Sequence, residues 1–491
     1  MDKRIFGIET EFGCMVRDAS LGTVEQVVEH VKDYAFYERK LGVIDLHARD
    51  YAFEPARAGG FLKNGGRLYI DAVGSHEEYA TAECSDLLDI VRHDRAGRMM
   101  LAQLLQELNL EEAVSFHNNS IDHFGGHTFG CHENYLVQIE DRFFNDALSY
   151  LLPFLVTRQI FAGIGRVGGH RLTRPNSKNN IMTMSEHEVD YVWVSNFYGV
   201  EIDSSVDFQL SQRADHIVKT ISSRVRFNRA IINPKWDSYY SYSNLHRLHI
   251  LYGESNMSEY ATFLKVGTTC LVLDLIEEGV IPPDIEVADP LETLRSISRD
   301  MTFQWDVKMK NGTVISAIEL QRRYLDAAKR YLSRKDEQTD RVLQEWEAIL
   351  EALETDPLST SDRLDWSAKY LLFQQFMGEN GVSWQDDLMQ SLDLEYHNIN
   401  PKTGLFYGLE QAGAMQRMVT DEEVEKAMTH PPTNTRALGR GNIVATLTET
   451  PGARYVIDWD GVYIERHRQL DLKNPFHTYE KEAVKFLRSM G

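Results

Sequence analysis

The chain has 491 residues, 43% hydrophobic and 26% charged, the make-up of a soluble globular protein too long for one ordinary core. A net charge of −22 and a pI of about 5.2 argue against nucleic acid and anionic membranes as partners. No apolar stretch reaches the length of a membrane span, and residues 1–30 lack a signal-type apolar run. A cytoplasmic location is expected, with Cys14, Cys84, Cys131 and Cys270 as free thiols.

Residues 4–12 read as a strand. Ile5, Gly7, Glu9 and Glu11 share one face, and Phe6, Ile8, Thr10 and Phe12 share the other. The second face suits a core. The first sets two carboxylates about 7 Å apart, two residue rises along the strand. Like charges that close repel, and Mg²⁺, which takes oxygen ligands, offsets them. Residues 23–39 carry Val24, Val27, Val28 and Val31 at helical spacing. Residues 40–63, with Gly59-Gly60, read as a loop.

Residues 66–71 read as a second strand, with Arg67, Tyr69 and Asp71 on one face and Leu68 and Ile70 on the other. The logic of the first strand repeats: a core face and a functional face. Glu78 follows closely enough in sequence to reach the same site. A lone Glu is usually a solvated surface residue; here several polar residues converge beside an apolar strand. Leu87, Val91, Leu101, Leu104, Leu105 and Leu108 predict an amphipathic helix over 86–108.

Strands follow near 134–139, 190–196 and 246–251. His132 precedes the first of these, and Arg247 and His249 share a face of the last. A helix is predicted over 257–278, with Asn256 as N-cap, Glu259 at N3 and Gly279 at C′. A capping box of Ser316 and Glu319 opens a helix to about residue 333, and helices follow over 340–354 and 361–378. The character changes after Gly408, which divides the chain into 1–408 and 409–491. A helix over 421–429 precedes Pro431-Pro432, and a hairpin joins 453–458 to 462–466 across Asp460-Gly461. The mixture predicts an α+β class rather than a doubly wound sheet.

The motifs GxxxxGK[ST], HExxH and GxSxG are absent, and no GxGxxG follows a strand. What remains is a sheet face bearing Glu, Asp, His and Arg. That inventory suits hard cations bridging nucleotide phosphates, with Arg as the phosphate counter-charge. Arg224 and Arg226, and Arg436 and Arg440 in the segment 433–441, are of a type more often found on the surface than clamping phosphate.

These residues resemble the Pup ligase family, in the carboxylate–amine ligase superfamily with glutamine synthetase. GIETEFG is similar to the family's opening GIETEYG. The segment NGGRLYIDAVGSHEEYATAEC at 64–84 resembles the one bearing its catalytic aspartate. GCHENYLV, LLPFLVTRQ, RLHILYGESNMSE, FLKVGT, PPTNTRALGRG, YVIDW at 455–459 and NPF at 474–476 follow in family order.

The resemblance implies an ATP-dependent ligase. It would phosphorylate the C-terminal glutamate side chain of Pup, a small ubiquitin-like protein, and pass it to a lysine of a target protein bound for the proteasome. It further implies that Glu9, Tyr69 and Glu78 hold Mg²⁺, with Glu11, His132 and His249 as further metal or phosphate ligands. Arg67, Thr81 and Trp459 would contact ATP, Arg436 would join them, and Asp71 would be the base toward the incoming lysine. The fold implied is a large glutamine synthetase-like domain whose antiparallel sheet cradles ATP, plus a small C-terminal domain.

Two departures stand out. Asp71-Ala72-Val73-Gly74 is one residue longer than the family's DVGSHPEY, and Glu77 replaces its proline. The interval from Glu9 to Asp71 is long for the ligase, and the related depupylase carries an extra loop there. A depupylase or deamidase hydrolysing the same bond, a small-molecule carboxylate–amine ligase and a non-catalytic nucleotide-binding adaptor are the alternatives.

Overall fold

A ten-stranded sheet organises the chain, seen in a computed structural model that describes residues 4–44, 58–71, 76–123, 127–138, 148–173, 199–222, 229–233, 245–464 and 468–488. Its strands are β1 (Phe6–Val16), β2 (Gly42–Ile44), β3 (Gly59–Leu62), β4 (Arg67–Asp71), β5 (His76–Ala80), β6 (Val114–His117), β7 (Cys131–Gln138), β8 (Lys219–Ile221), β9 (Ala230–Asn233) and β10 (Leu245–Ile250). The order is β8-β9-β10-β7-β1-β5-β4-β3-β2, with β6 on the far end of β1. Only β8 and β9 run parallel in this sheet; the other pairs are antiparallel. The expected α+β class with an antiparallel-dominated sheet is what forms.

One face of the sheet is the core. Phe6, Ile8, Tyr135, Val137, Leu248 and Ile250 bury against α4 (Glu259–Glu277) and its neighbours. Phe12, Leu68 and Tyr79 bury against α1 (Val24–Asp33) and α2 (Leu87–Glu107). A capping box of Thr23 and Gln26 starts α1, and a π-type turn over Tyr34–Glu38 continues it, filling the predicted helical span. Behind α4 lie α5 (Ala317–Leu332) and α6 (Glu337–Thr355), followed by α7 (Asp365–Asn380). Between the sheet and α4, Arg158 just after α3 (Leu148–Thr157) pairs with buried Glu133.

Four local expectations change. Residues 42–44 and 59–62 form strands rather than loop, because Val43, Ile44, Phe61 and Leu62 are all buried. Glycine is required at position 60, where a Cβ would stand 1.9 Å from the Val43 carbonyl. The cap of α4 is Ser258, whose hydroxyl accepts from the Ala261 N–H; the amide of Asn256 instead donates to Ala162 O and Asp365. Ser316 caps α5, but Glu319 accepts from Arg323 rather than reaching back. The C-terminal hairpin turns on Trp459-Asp460, since Asp458 pairs with Gly461. Its strands β11 (Tyr455–Asp458) and β12 (Gly461–Ile464) gain a third, β13 (Arg468–Asp471). The strand expected at 190–196 lies outside the described residues.

β5 carries one residue that contradicts its surroundings. Glu77 faces the helices, is 0% exposed, and has no hydrogen-bond partner on either oxygen among the described residues. Burial drives its carboxyl well above the ordinary range; Lys32 opposes this and Asp33 adds to it. A buried polar group left unbonded costs about 1–3 kcal/mol, so Glu77→Met is expected to stabilise the fold by that order at neutral pH. A carboxyl raised in the folded state destabilises only once the unfolded chain ionises. The part of the gain that comes from ionisation should therefore vanish below a pH of about 4 and grow as pH rises past it, leaving only the cost of the unbonded neutral carboxyl at low pH. Urea midpoints of both proteins across pH are the check, and equal midpoints at neutral pH would contradict the argument.

Candidate functional site

Residues opposite one another in an antiparallel pair share a face, so the register aligns the site into rows. One row runs His132–Glu9–Ala80–Arg67–Phe61 across β7, β1, β5, β4 and β3. The next runs Glu11–Glu78–Tyr69–Gly59, and beyond it His76 faces Asp71. On the other side, His249 of β10 faces Asn134, which faces Gly7. The expected metal ligands and the expected base therefore stand on one face of one sheet.

Glu9 is the centre. Its Oε2 lies 3.3 Å from His132 Nδ1 and 3.6 Å from His249 Nε2. Its Oε1 accepts from Asn134 Nδ2 at 3.1 Å and lies 3.5 Å from Arg247 Nη1. Ligand atoms of Glu9, His132 and His249 all fall within 4.8 Å of one another. The two imidazole rings meet edge to face at 5.0 Å. Glu11 accepts from the Gly130 N–H and lies 3.8 Å from His76 Nδ1. A Cβ at position 130 would stand 2.5 Å from His132 Nε2 and 2.6 Å from Glu11 Oε1, so glycine keeps this space open.

The carboxyls divide electrostatically. Burial alone would raise Glu9, but His132, His249 and Arg247 hold it well below the usual carboxylate range. Burial is outweighed at Glu11 too, by His132, His76, the Gly130 N–H and Arg213. Glu78 goes the other way: burial first, then Glu9, Glu11 and Asp71, push it well above. Tyr69 donates to Glu78 and is kept a neutral phenol by burial and by Glu78 and Glu9. Glu9, His132 and His249 gathered this tightly, with Glu11 and a Glu78 driven toward neutrality by burial and by its acidic neighbours, fit a divalent cation.

Asp71 ends β4, in the field of Arg229 and near enough to Glu78 to raise it. The extra residue, within Ala72–Gly74, lies outside the described residues. Sequence reasoning missed two arginines here. Arg213 is 2% exposed and donates to Leu251 O at 2.9 Å. Burial lowers Arg213; burial and Arg213 together lower Arg229 to about 9, against Glu11 and Asp71. The Nε of each is buried without a hydrogen-bond partner among the described residues. Two guanidinium groups that repel each other, in the field of Asp71 and Glu11, supply positive charge that an anion would offset. The polar run Ser211-Gln212-Arg213 was the available signal. Arg224 and Arg226 lie outside the described residues.

Next to the cluster is an open cavity, lined by Gly7, Ile8, Glu9, Ala80, Thr81 and Arg247 on the sheet. Arg436, Trp459, Lys473 and Pro475 of the C-terminal segment close its other side. Thr81 lines it while its hydroxyl accepts from the Ile8 N–H at 3.1 Å. Arg436 lines it too, although its donors go to Glu83 at 2.7 Å and Leu472 O at 3.1 Å. Arg67 sits one strand beyond Ala80, its guanidinium 4.2 Å over the Tyr69 ring.

A family model described as Pup-ligase protein matches residues 4–463. The Pup–protein ligase of Kineococcus radiotolerans is 36% identical and that of Paenarthrobacter aurescens 35%, each alignment covering 100% of both chains. The crystal structure of the complex between the prokaryotic ubiquitin-like protein Pup and its ligase PafA superposes with a TM-score of 0.78 at 29% identity, covering 99% of this chain and 92% of that one. PafA in complex with ADP gives 0.72 at 29% identity, covering 94% and 93%. Matched by the family model over residues 4–463 and by relatives 35% and 36% identical over the full length of both chains, the chain belongs to the Pup ligase family.

Proposed function

We propose that the protein is an ATP-dependent ligase that joins the C-terminal glutamate side chain of a Pup-like protein to lysine amines of target proteins, in the cytoplasm. The observation that carries this is the aligned rows of acids, histidines and arginines beside a cavity that Arg436, Trp459 and Lys473 close from the other side. Among the described residues no helix is long and apolar enough to cross a membrane, in keeping with a cytoplasmic site of action.

A carboxylate cannot acylate an amine until its oxygen becomes a leaving group, and ATP supplies the phosphoryl that does this. Trp459, Thr81 and Arg436 border the space for the base and ribose, and Arg67 stands near. Arg213 and Arg229 face the place where anionic carboxylate and phosphoryl meet, and their charge offsets that repulsion. Mg²⁺ would be held by Glu9, Glu11, Glu78 and Tyr69, with His132 and His249 beside Glu9; bound there, it neutralises phosphate charge. A lysine amine with a pKa of about 10.4 is protonated at neutral pH and needs a base. Asp71 takes that role. We also propose two units divided near residue 408. The C-terminal one gathers Ile443, Val444, Leu447, Ile457, Val462 and Phe486 into an apolar cluster that also takes in Val43 of β2 and Phe61 of β3.

Incubation with a Pup-like protein ending in Glu, a lysine-bearing protein, ATP and Mg²⁺ should yield conjugate and ADP. Cleavage of a preformed conjugate without ligation would make the protein a depupylase. ATP turnover stimulated by a free amino acid alone would make it a small-molecule ligase.

A further inference from the structure

We infer that Arg440 is a positioning residue for the nucleotide: it fixes Trp459 at the wall of the cavity and ties that wall to Glu83 beside the sheet. The inference rests on the reading of the cavity as the ATP site. Arg440 stands on α8 (Ala437–Thr448) and is 0% exposed. Its Nη1 donates to Trp459 O at 2.9 Å and to Glu83 Oε1 at 3.0 Å. Its Nη2 donates to Gly65 O at 2.6 Å and to the other oxygen of Glu83. The guanidinium carbon lies 4.7 Å from the Trp459 ring centroid and 5.4 Å from that of Phe61.

One planar group thus holds the backbone and the ring of Trp459 together. Phe61 meets the same indole edge to face at 5.1 Å. Trp459 is half-buried and lines the cavity, so its remaining surface is available to a ligand. Glu83 is the anchor from the sheet side. It follows Thr81 in the chain, lines the cavity, and also binds Arg436 Nε at 2.7 Å. The Thr435 hydroxyl donates to Glu83 O at 2.7 Å, closing the contact. Arg440 is not among the residues lining the cavity and reaches nucleotide through the lining residues it holds, of which Trp459, gripped at both backbone and ring, is the main route and Glu83 the lesser one. Lysine cannot substitute, since a point charge on a flexible stem does not fork to a carboxylate and two carbonyls while stacking on two rings.

The test uses the full chain and compares Arg440→Lys, Trp459→Ala and the double variant by KM for ATP, kcat and calorimetric ATP affinity. Arg440→Lys should raise KM and Kd for ATP about tenfold, with kcat at saturating ATP changed less than about twofold. On the Trp459→Ala background the same change should add less than about twofold, because the effect it transmits is already gone. A full-sized effect on that background, or an unchanged KM in folded Arg440→Lys, overturns the inference. Should Arg440→Lys not fold, Glu83→Gln, which removes the anchor charge at constant shape, should raise KM about threefold and lose most of that effect without Trp459, the remainder passing through Arg436. An additive effect there counts against the inference equally. Failure of the unsubstituted protein to bind ATP would remove the cavity reading and the inference with it; normal binding with additive effects removes the inference alone.

Discussion

Asp71→Asn is expected to retain ATP binding and to lose conjugation by at least about a hundredfold, the scale of one general base. The amide keeps the shape of the carboxylate but cannot take a proton from the lysine ammonium. Asp71 lies at the end of β4, opposite His76, while the nucleotide cavity is bordered by β1, β5 and β7. The substitution therefore acts at the far end of the row from the nucleotide. Removing its charge also relieves Glu78, which Asp71 helps to raise, so cation binding should not weaken. Conjugate formation followed on gels, beside calorimetry with ATP and Mg²⁺, separates the two effects. Near-normal conjugation would remove Asp71 from the role of base.

The opening strand was legible because period two leaves little choice: Phe6, Ile8 and Phe12 need a core, so Glu9 and Glu11 must face away from it. The same argument placed Arg67, Tyr69 and Asp71. The register was not legible. No local rule says that Glu11 stands opposite Glu78 or Glu9 opposite His132; these pairings follow from how the whole sheet seats its buried faces. Arg213 and Arg229 were missed because neither lies within a regular element. Arg213 precedes a short 3₁₀ turn at Ala214–His216, and Arg229 immediately precedes β9, so no periodicity marks them. Asn256 was misread as a cap because its rival acceptor, Asp365, lies 109 residues away. The strands β2 and β3 were hidden by glycines, which read as loop in sequence but here permit close approach of neighbouring backbones.

Glu9→Ala is expected to weaken Mg²⁺-dependent nucleotide binding at least about tenfold, and the sign should reverse without the cation. Glu9 is the one carboxylate that touches His132, His249, Asn134 and Arg247 together. Its loss removes a ligand from the centre of the cluster and leaves Arg247 with less counter-charge. With Mg²⁺ present, the lost ligand dominates. Without Mg²⁺, a negative charge beside the phosphates has gone and Arg247 is freer to meet them, so ATP should bind as well as before or better. The pH dependence carries a second signature. Cation binding needs Glu78 ionised, and Glu9 is among the groups that keep it neutral. Affinity for Mg²⁺ with nucleotide should therefore rise with pH as Glu78 loses its proton. In Glu9→Ala that rise should occur at lower pH, because one repelling charge is missing. Calorimetric titrations with and without Mg²⁺ over a range of pH read all three effects. Unchanged affinity in the presence of Mg²⁺ would exclude Glu9 as a metal ligand. A transition that stays at the wild-type pH would show that Glu78 is set by burial and its other neighbours rather than by Glu9.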